Sequence, residues 1–296
     1  MNFNKFEKFY KNKKVLVLGH TGFKGSWLTL CLKDLGSKIY GISLDIPTKP
    51  SHFELLKIKK DIKDYRIDIR NYKKIKKKIE TIKPDIIFNC AAQSLVKESF
   101  QDPYKTWTTN LIGSLNILEI LRNIKLKKKI CTVIITSDKC YKNLNQSKRY
   151  REDDLLGDYE PYGASKAAVE LAFQSYFNSS LKNKKNLYLA TARAGNVIGG
   201  GDWSKDRILP DLIRSLKFKK NLKIRYPNST RPWQHVLEPI YGYIVLAYNL
   251  YNYTKKTNGE SFNFGPKFVK NYKVIELLKR LKIYFPKIKW KIEKKK

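Results

Sequence analysis

The chain has 296 residues, 42% of them apolar, enough to bury a substantial core as one large domain or two interleaved ones. No uninterrupted apolar run approaches a membrane span, and the start, Met1-Asn2-Phe3-Asn4-Lys5, does not read as a secretory signal, so a cytoplasmic protein without a membrane partner is expected. The net charge of +35 would suit a nucleic-acid binder, but the lysines are spread over nearly every segment and no recognition motif accompanies them, so no specific nucleic-acid partner is expected.

Taken in order, the first element is the apolar run 15–18, a strand, followed by glycines and a helix over 26–35. Gly36 stands where a helix C-terminal glycine belongs, just before a second strand at 39–43. A weaker strand follows at 66–69, then a helix over 72–82. There Ile75, Ile79 and Ile82 keep helical spacing while lysines take the outer face. Strands at 86–90, 133–136 and 187–192 alternate with helices at 104–124 and 162–177.

Alternation at this spacing predicts right-handed βαβ units, hence an α/β fold with a Rossmann-type, doubly wound parallel sheet. Ligands of such sheets bind beyond the C-terminal strand ends. Residues 1–195 are expected to form this dinucleotide-binding domain. Residues 196–296 are expected to form a smaller mixed α/β substrate-binding portion interleaved with it, with a helix at 208–217 and a strand at 223–225. The closing lysines, 294–296, are expected to be a frayed end. Cys31, Cys90, Cys131 and Cys140 lack metal-ligand spacing and read as buried thiols of a reducing compartment, and no metal is expected.

Two motifs carry chemistry. Gly19-x-x-Gly22-x-x-Gly25, between a strand and a helix, permits a tight turn, close approach of backbone to a pyrophosphate, and close helix–strand packing. For the adenosine ribose, Asp45 lies near the end of the second strand, although Ser43 competes for that position. Asp68 is read either as an adenine contact or as a surface ion pair with Arg70. The second motif is Tyr162 and Lys166, four apart on one helix face, where an ammonium can stabilise a tyrosinate and lower its pKa. It follows a strand ending in Thr136-Ser137-Asp138-Lys139, whose side chains would surround the same cleft.

Together with Gly19 to Trp27, Thr136 to Tyr141 and Pro161 to Lys166, the stretches Arg193 to Trp203 and Thr230 to Pro239 make the chain resemble the extended short-chain dehydrogenase/reductases. Within that superfamily it closely resembles the CDP-glucose 4,6-dehydratases of the NAD-dependent epimerase/dehydratase family. Lys139 separates it from the related dTDP-glucose dehydratases, which look similar here but carry glutamate after the aspartate.

The resemblance implies NAD as cofactor, with Gly19, Thr21, Gly22, Phe23, Gly25, Asp68, Ala91, Tyr162 and Lys166 in its site. It implies Ser137, Asp138, Lys139, Tyr162 and Lys166 as the catalytic set and loss of water from CDP-glucose, a step towards lipopolysaccharide deoxysugars. In that role Lys139 is a base that needs a depressed pKa, from burial or from Lys166. Gln93, Asn196, Arg207 and Arg231 are the expected substrate contacts, with a salt bridge from Arg207 to Asp206 or Asp211 as its structural alternative. Asn110 is expected to help order the cleft; Trp203, Trp233 and His235 are read either as pocket lining or as packing. A homodimer through a four-helix contact is implied by the superfamily alone. Two other readings stay open: another sugar-nucleotide dehydratase or epimerase, and a non-catalytic nucleotide-binding relative. Family members continue past the point where this chain stops, so a shortened substrate portion is expected.

Overall fold

The apolar runs become strands buried on both faces, and their alternating side chains feed two separate cores. The computed structural model describes residues 3–144, 149–266 and 272–293; the closing lysines 294–296 lie outside them. In β1 (Lys14–Leu18), Val15 and Val17 face one core with Leu28, Leu32, Phe88 and Val133, while Leu16 and Leu18 face the other with Ile75, Ile79, Ile117 and Leu121.

β2 (Lys38–Ser43), β3 (Lys63–Arg66), β4 (Ile86–Asn89), β5 (Ile130–Ile135) and β6 (Leu187–Ala194) join it. With β11 (Ser261–Phe264) they form a seven-stranded parallel sheet in the order β11-β6-β5-β4-β1-β2-β3. α1 (Phe3–Tyr10), α2 (Phe23–Asp34), the short α3 (His52–Leu55) and α4 (Tyr72–Ile82) come from the first half. α5 (Val96–Gln101), α6 (Pro103–Trp107) and α7 (Gly113–Asn123) follow, then α8 (Pro161–Tyr176). α4 buries Ile75, Ile79 and Ile82, as its spacing predicts.

Several boundaries differ from expectation. β3 ends at Arg66 instead of spanning 66–69, because its partner among the described residues, β2, runs out at Ser43, opposite Arg66. The helix expected over 104–124 is α6 and α7 joined by a π-helical turn, Thr108–Ile112. A second such turn, Phe177–Leu181, prolongs α8.

Beyond residue 195 the chain passes between the sheet and the smaller portion more than once. The chain leaves the sheet after β6 for β7 (Val197–Ile198), α9 (Ile208–Lys217), β8 (Leu222–Ile224), β9 (Thr230–Arg231) and β10 (Gln234–His235). It then returns through α10 (Leu237–Asn252) to place β11 beside β6, and leaves again for β12 (Tyr272–Lys273), α11 (Val274–Tyr284) and β13 (Trp290–Ile292). Residues 237–264 therefore belong to the large unit. α10 buries Ile240, Tyr243, Ile244 and Ala247 in its core, where Tyr10 of α1 donates to the Ile244 carbonyl at 2.7 Å. The substrate portion is held by three two-stranded ribbons, β7/β10, β9/β12 and β8/β13, around a small core of Leu212, Leu222, Ile224, Leu278 and Ile288.

Candidate active site

The glycine loop shows which of its glycines the fold needs. Gly19 adopts φ +82°, and a Cβ there would stand 2.7 Å from the Ala91 nitrogen; at Gly25 one would stand 2.0 Å from the Gly19 oxygen. Close packing therefore dictates both positions. A Cβ at Gly22 would meet only the Gly19 oxygen, at 3.4 Å, an ordinary contact. The protein itself does not require glycine there, but a phosphate approaching the backbone does. Gly22 is also the N-cap of α2 and makes no side-chain cap, which leaves the first-turn N–H groups for an anion.

The neighbouring polar groups are largely committed. Thr21 donates its hydroxyl to the Asp45 carbonyl at 2.6 Å and its N–H to Ser43 Oγ at 3.3 Å. Ser43 is the last residue of β2, and Asp45 lies exposed two residues beyond it. Phe23 packs against the core and Ala91 lies under Gly19. Of the two readings of Asp68, the structure shows the ion pair: Arg70 stands 2.6 Å away and holds the Asp68 carboxyl below its ordinary range. His20, within the loop, is fully buried between Asp64 at 2.9 Å and Ser43 at 2.8 Å.

At the end of β5, Ser137 caps a single turn, Asp138–Cys140, accepting from the Lys139 N–H at 3.3 Å and donating to Asp138 Oδ1 at 3.1 Å. Opposite, Pro161 starts α8 and places Tyr162 and Lys166 on one face. Lys166 is buried and donates to the Ile135 carbonyl at 3.3 Å, and burial lowers its pKa to about 8.

The expected depression of the Tyr162 pKa is not found. Burial raises it to about 12, only partly offset by the Ser137 hydrogen bond and the Arg207 charge. Burial likewise raises the Asp138 carboxyl against the opposing charges of Lys24, Lys139 and Arg231. Lys139 Nζ lies 3.5 Å from Glu160 Oε1. Lys24 was not among the expected site residues, yet it lines the same cavity, with its pKa lowered by burial to about 8. Its signal was present, as a charged residue inside the glycine fingerprint at the start of a helix.

A cavity of about 960 Å³ opens between the sheet and the substrate portion, lined by Ser137, Asp138, Lys139 and Tyr162 on one wall. Asn196, Arg207 and Arg231 line it too, together with Trp203, Trp233 and His235. Arg207 pairs with Asp202 at 3.1 Å; Asp206 and Asp211, its expected alternatives, pair with Arg225 and Arg214. Gln93, the fourth expected substrate contact, sits differently. It does not line the cavity, because its amide folds back to donate to Thr106 Oγ1 at 2.8 Å and to the Leu95 carbonyl at 3.1 Å. Asn110 ties that loop to α8, accepting from the Gln93 N–H at 2.8 Å and donating to Ser165 Oγ at 2.9 Å. The four thiols are free; Cys131 and Cys140 are buried, Cys31 and Cys90 half-buried.

The family model for GDP-mannose 4,6 dehydratase matches residues 16–275. A CDP-glucose 4,6-dehydratase of Salmonella typhimurium is 45% identical over 265 residues, covering 88% of this chain and 73% of its own length. Among solved structures, the epimerase Mth375 of Methanothermobacter thermautotrophicus superposes with a TM-score of 0.82 at 21% identity, covering 99% of this chain and 83% of that one. A dTDP-glucose 4,6-dehydratase from Bacillus anthracis in complex with NAD gives 0.76 at 19% identity, covering 96% and 85%. These two share the fold, and the sequence matches add the family: the chain belongs to the GDP-mannose 4,6 dehydratase family.

Proposed function

We propose that this chain is an NAD-dependent lyase that converts CDP-glucose to CDP-4-keto-6-deoxyglucose and water. The observation that carries the reading is the convergence of Ser137, Asp138, Lys139 and Tyr162 on one cavity, in a chain 45% identical to a CDP-glucose 4,6-dehydratase. The fit to a dinucleotide rests on Gly22, whose missing side chain serves no packing need, and on the uncapped start of α2. Gly19, Gly22, Gly25 and the first turn of α2 would hold the pyrophosphate. Bound NAD would accept a hydride from the sugar C4 and return it at C6.

The protein's own groups move the protons. Tyr162 takes the proton of the 4-hydroxyl, with Ser137 bonding the same oxygen; burial disfavours the phenolate, so this step depends on the Lys166 ammonium to support it. The 4-ketone so formed acidifies the C5 proton, which Lys139 removes. Asp138 gives its proton to the C6 oxygen as that bond breaks, and water leaves. The raised pKa of Asp138 supports this role, since a donor must keep its proton near neutral pH. Lys139 then returns its proton to C5 as the hydride reaches C6, and the proton taken up by Tyr162 replaces, through solvent, the one Asp138 gave to the departing water, so atoms, protons and electrons balance without a second substrate. Arg207 and Arg231 would grip the nucleotide diphosphate and Asn196 the sugar.

The proposal places the enzyme in the cytoplasm, supplying lipopolysaccharide deoxysugars. Four free thiols support a reducing compartment, and no helix among the described residues is long and apolar enough to cross a membrane. It includes a homodimer, supported by exposed Tyr104 on α6, Ile112 beside α7 and Leu171 on α8. CDP-glucose carrying deuterium at C4 tests the chemistry: the label is expected at C6 of the product. Label lost to solvent or retained at C4 would overturn the internal transfer.

A further inference from the structure

Glu160 is an unusual residue to open a helix. Helix N-caps favour Ser, Thr, Asp and Asn, whose short side chains reach the first-turn N–H groups directly. Here a glutamate caps α8, its Oε2 accepting from the Tyr162 N–H at 2.9 Å and its Oε1 from the Gly163 N–H at 3.0 Å. The extra methylene gives the carboxylate further reach. Oε1 also meets Lys139 Nζ at 3.5 Å, and Oε2 accepts from Ser99 Oγ of α5 at 3.3 Å.

The backbone of Lys139 meets the same turn. A Cβ at Gly163 would stand 2.6 Å from the Lys139 carbonyl oxygen, so only glycine lets that carbonyl lie against the start of α8. Lys139 is thus gripped at both ends, its main chain by Gly163 and its ammonium by Glu160. Tyr162 sits between those two residues.

We infer that Glu160 is a positioning residue for the elimination, holding Lys139 at a fixed spacing from Tyr162 so that both proton-moving groups address one sugar ring. This rests on the proposed role of Lys139 at C5. Such a residue acts on one half of the reaction: loss of its reach spares oxidation at C4 and slows loss of the C6 hydroxyl.

Glu160→Asp separates this role from capping, because aspartate is the better N-cap but is one methylene too short for Lys139. The variant is incubated with NAD and CDP-glucose and quenched with borodeuteride, which marks every trapped 4-ketone with one deuterium at C4. The trapped sugars, oxidised at C4 with or without the C6 oxygen, are then counted by mass. The expected result is an unchanged melting temperature, unchanged C4 oxidation and about 10²-fold slower formation of the 6-deoxy sugar, the scale of a ~1 Å misplacement. Adding Glu160→Asp to Lys139→Met should slow the reaction no further.

Should Glu160→Asp melt lower, Glu160→Gln keeps the length and the cap without the charge, and the same split between half-reactions is expected. Wild-type rates in these variants, or equal loss in both half-reactions, would overturn the inference. Full turnover by Lys139→Met would instead overturn the assignment of Lys139, and this inference with it. A blocked Lys139→Met beside a full-rate Glu160→Asp would overturn the positioning alone.

Discussion

The two walls of the cavity are organised by different forces. The catalytic wall hangs from the central sheet, where Ser137 follows a strand whose Val133 and Ile134 are fully buried, and Lys166 is locked to the Ile135 carbonyl. The substrate wall rests on a core of five buried apolar residues, and its cations are held by nearby carboxylates, Arg207 by Asp202 and Arg225 by Asp206. Buried packing contributes several kcal/mol per large side chain, whereas partly exposed ion pairs contribute about 0–1 kcal/mol each. The proton-moving groups are therefore held by the larger core, and the substrate grip by the smaller one. A heavily packed catalytic wall meets a lightly packed clamp.

The largest expected effect is on the catalytic wall. Tyr162→Phe removes the 4-hydroxyl base from an otherwise intact wall and should lower turnover by about 10²–10⁴-fold, while CDP-glucose binding by calorimetry stays near wild type. Next comes the clamp, where Leu278→Ala should cost about 2–5 kcal/mol locally. Calorimetric scanning should then show the substrate portion melting as a separate, earlier transition. A single shared transition would mean that the two portions are coupled more tightly than their cores imply.

A third test sets two glycines against each other. Gly25→Ala puts a methyl 2.0 Å from the Gly19 oxygen and should destabilise the protein by about 1–3 kcal/mol. Gly22→Ala meets nothing closer than 3.4 Å, so the melting temperature without NAD should hold while the NAD-induced rise disappears.

The smallest effect is a slope. The Lys166 ammonium is disfavoured by burial, with a pKa of about 8 in the fold against an ordinary 10.5. Between those values the unfolded chain binds more protons, so this group makes stability rise with pH across that interval; Lys24 contributes with the same sign. Urea unfolding of Lys166→Met should show a shallower rise than wild type over the same window.

Legibility followed local pattern in both portions and did not divide along the two walls. β1, the glycine fingerprint, α4 and α9 announce themselves by period and spacing, as do Tyr162 and Lys166, because each is a local pattern. α10 does not, since Leu-Glu-Pro-Ile-Tyr-Gly-Tyr-Ile-Val-Leu-Ala is apolar on several faces and lacks a clean helical stripe, packing both against the core and against α1. β11 was missed because Ser261-Phe262-Asn263-Phe264 is short and half-buried at a sheet edge.

In the site, Gln93 was correctly placed after a strand end, but no local pattern tells that its amide turns back to Thr106. Glu160 and Lys139 are 21 residues apart, and only the fold brings them together. The Tyr162 pKa was misjudged for a related reason: spacing reveals a neighbouring charge but not the burial that outweighs it.

The most direct test of the central claim is incubation of the purified protein and NAD with CDP-glucose, dTDP-glucose and GDP-mannose in parallel. The 4-keto-6-deoxy product is read by mass and by its absorbance in alkali. Product from CDP-glucose alone is the expected result. Product from another nucleotide and none from CDP-glucose would contradict the substrate assignment, and no product from any of the three, in protein with a cooperative melt, would contradict the dehydratase itself.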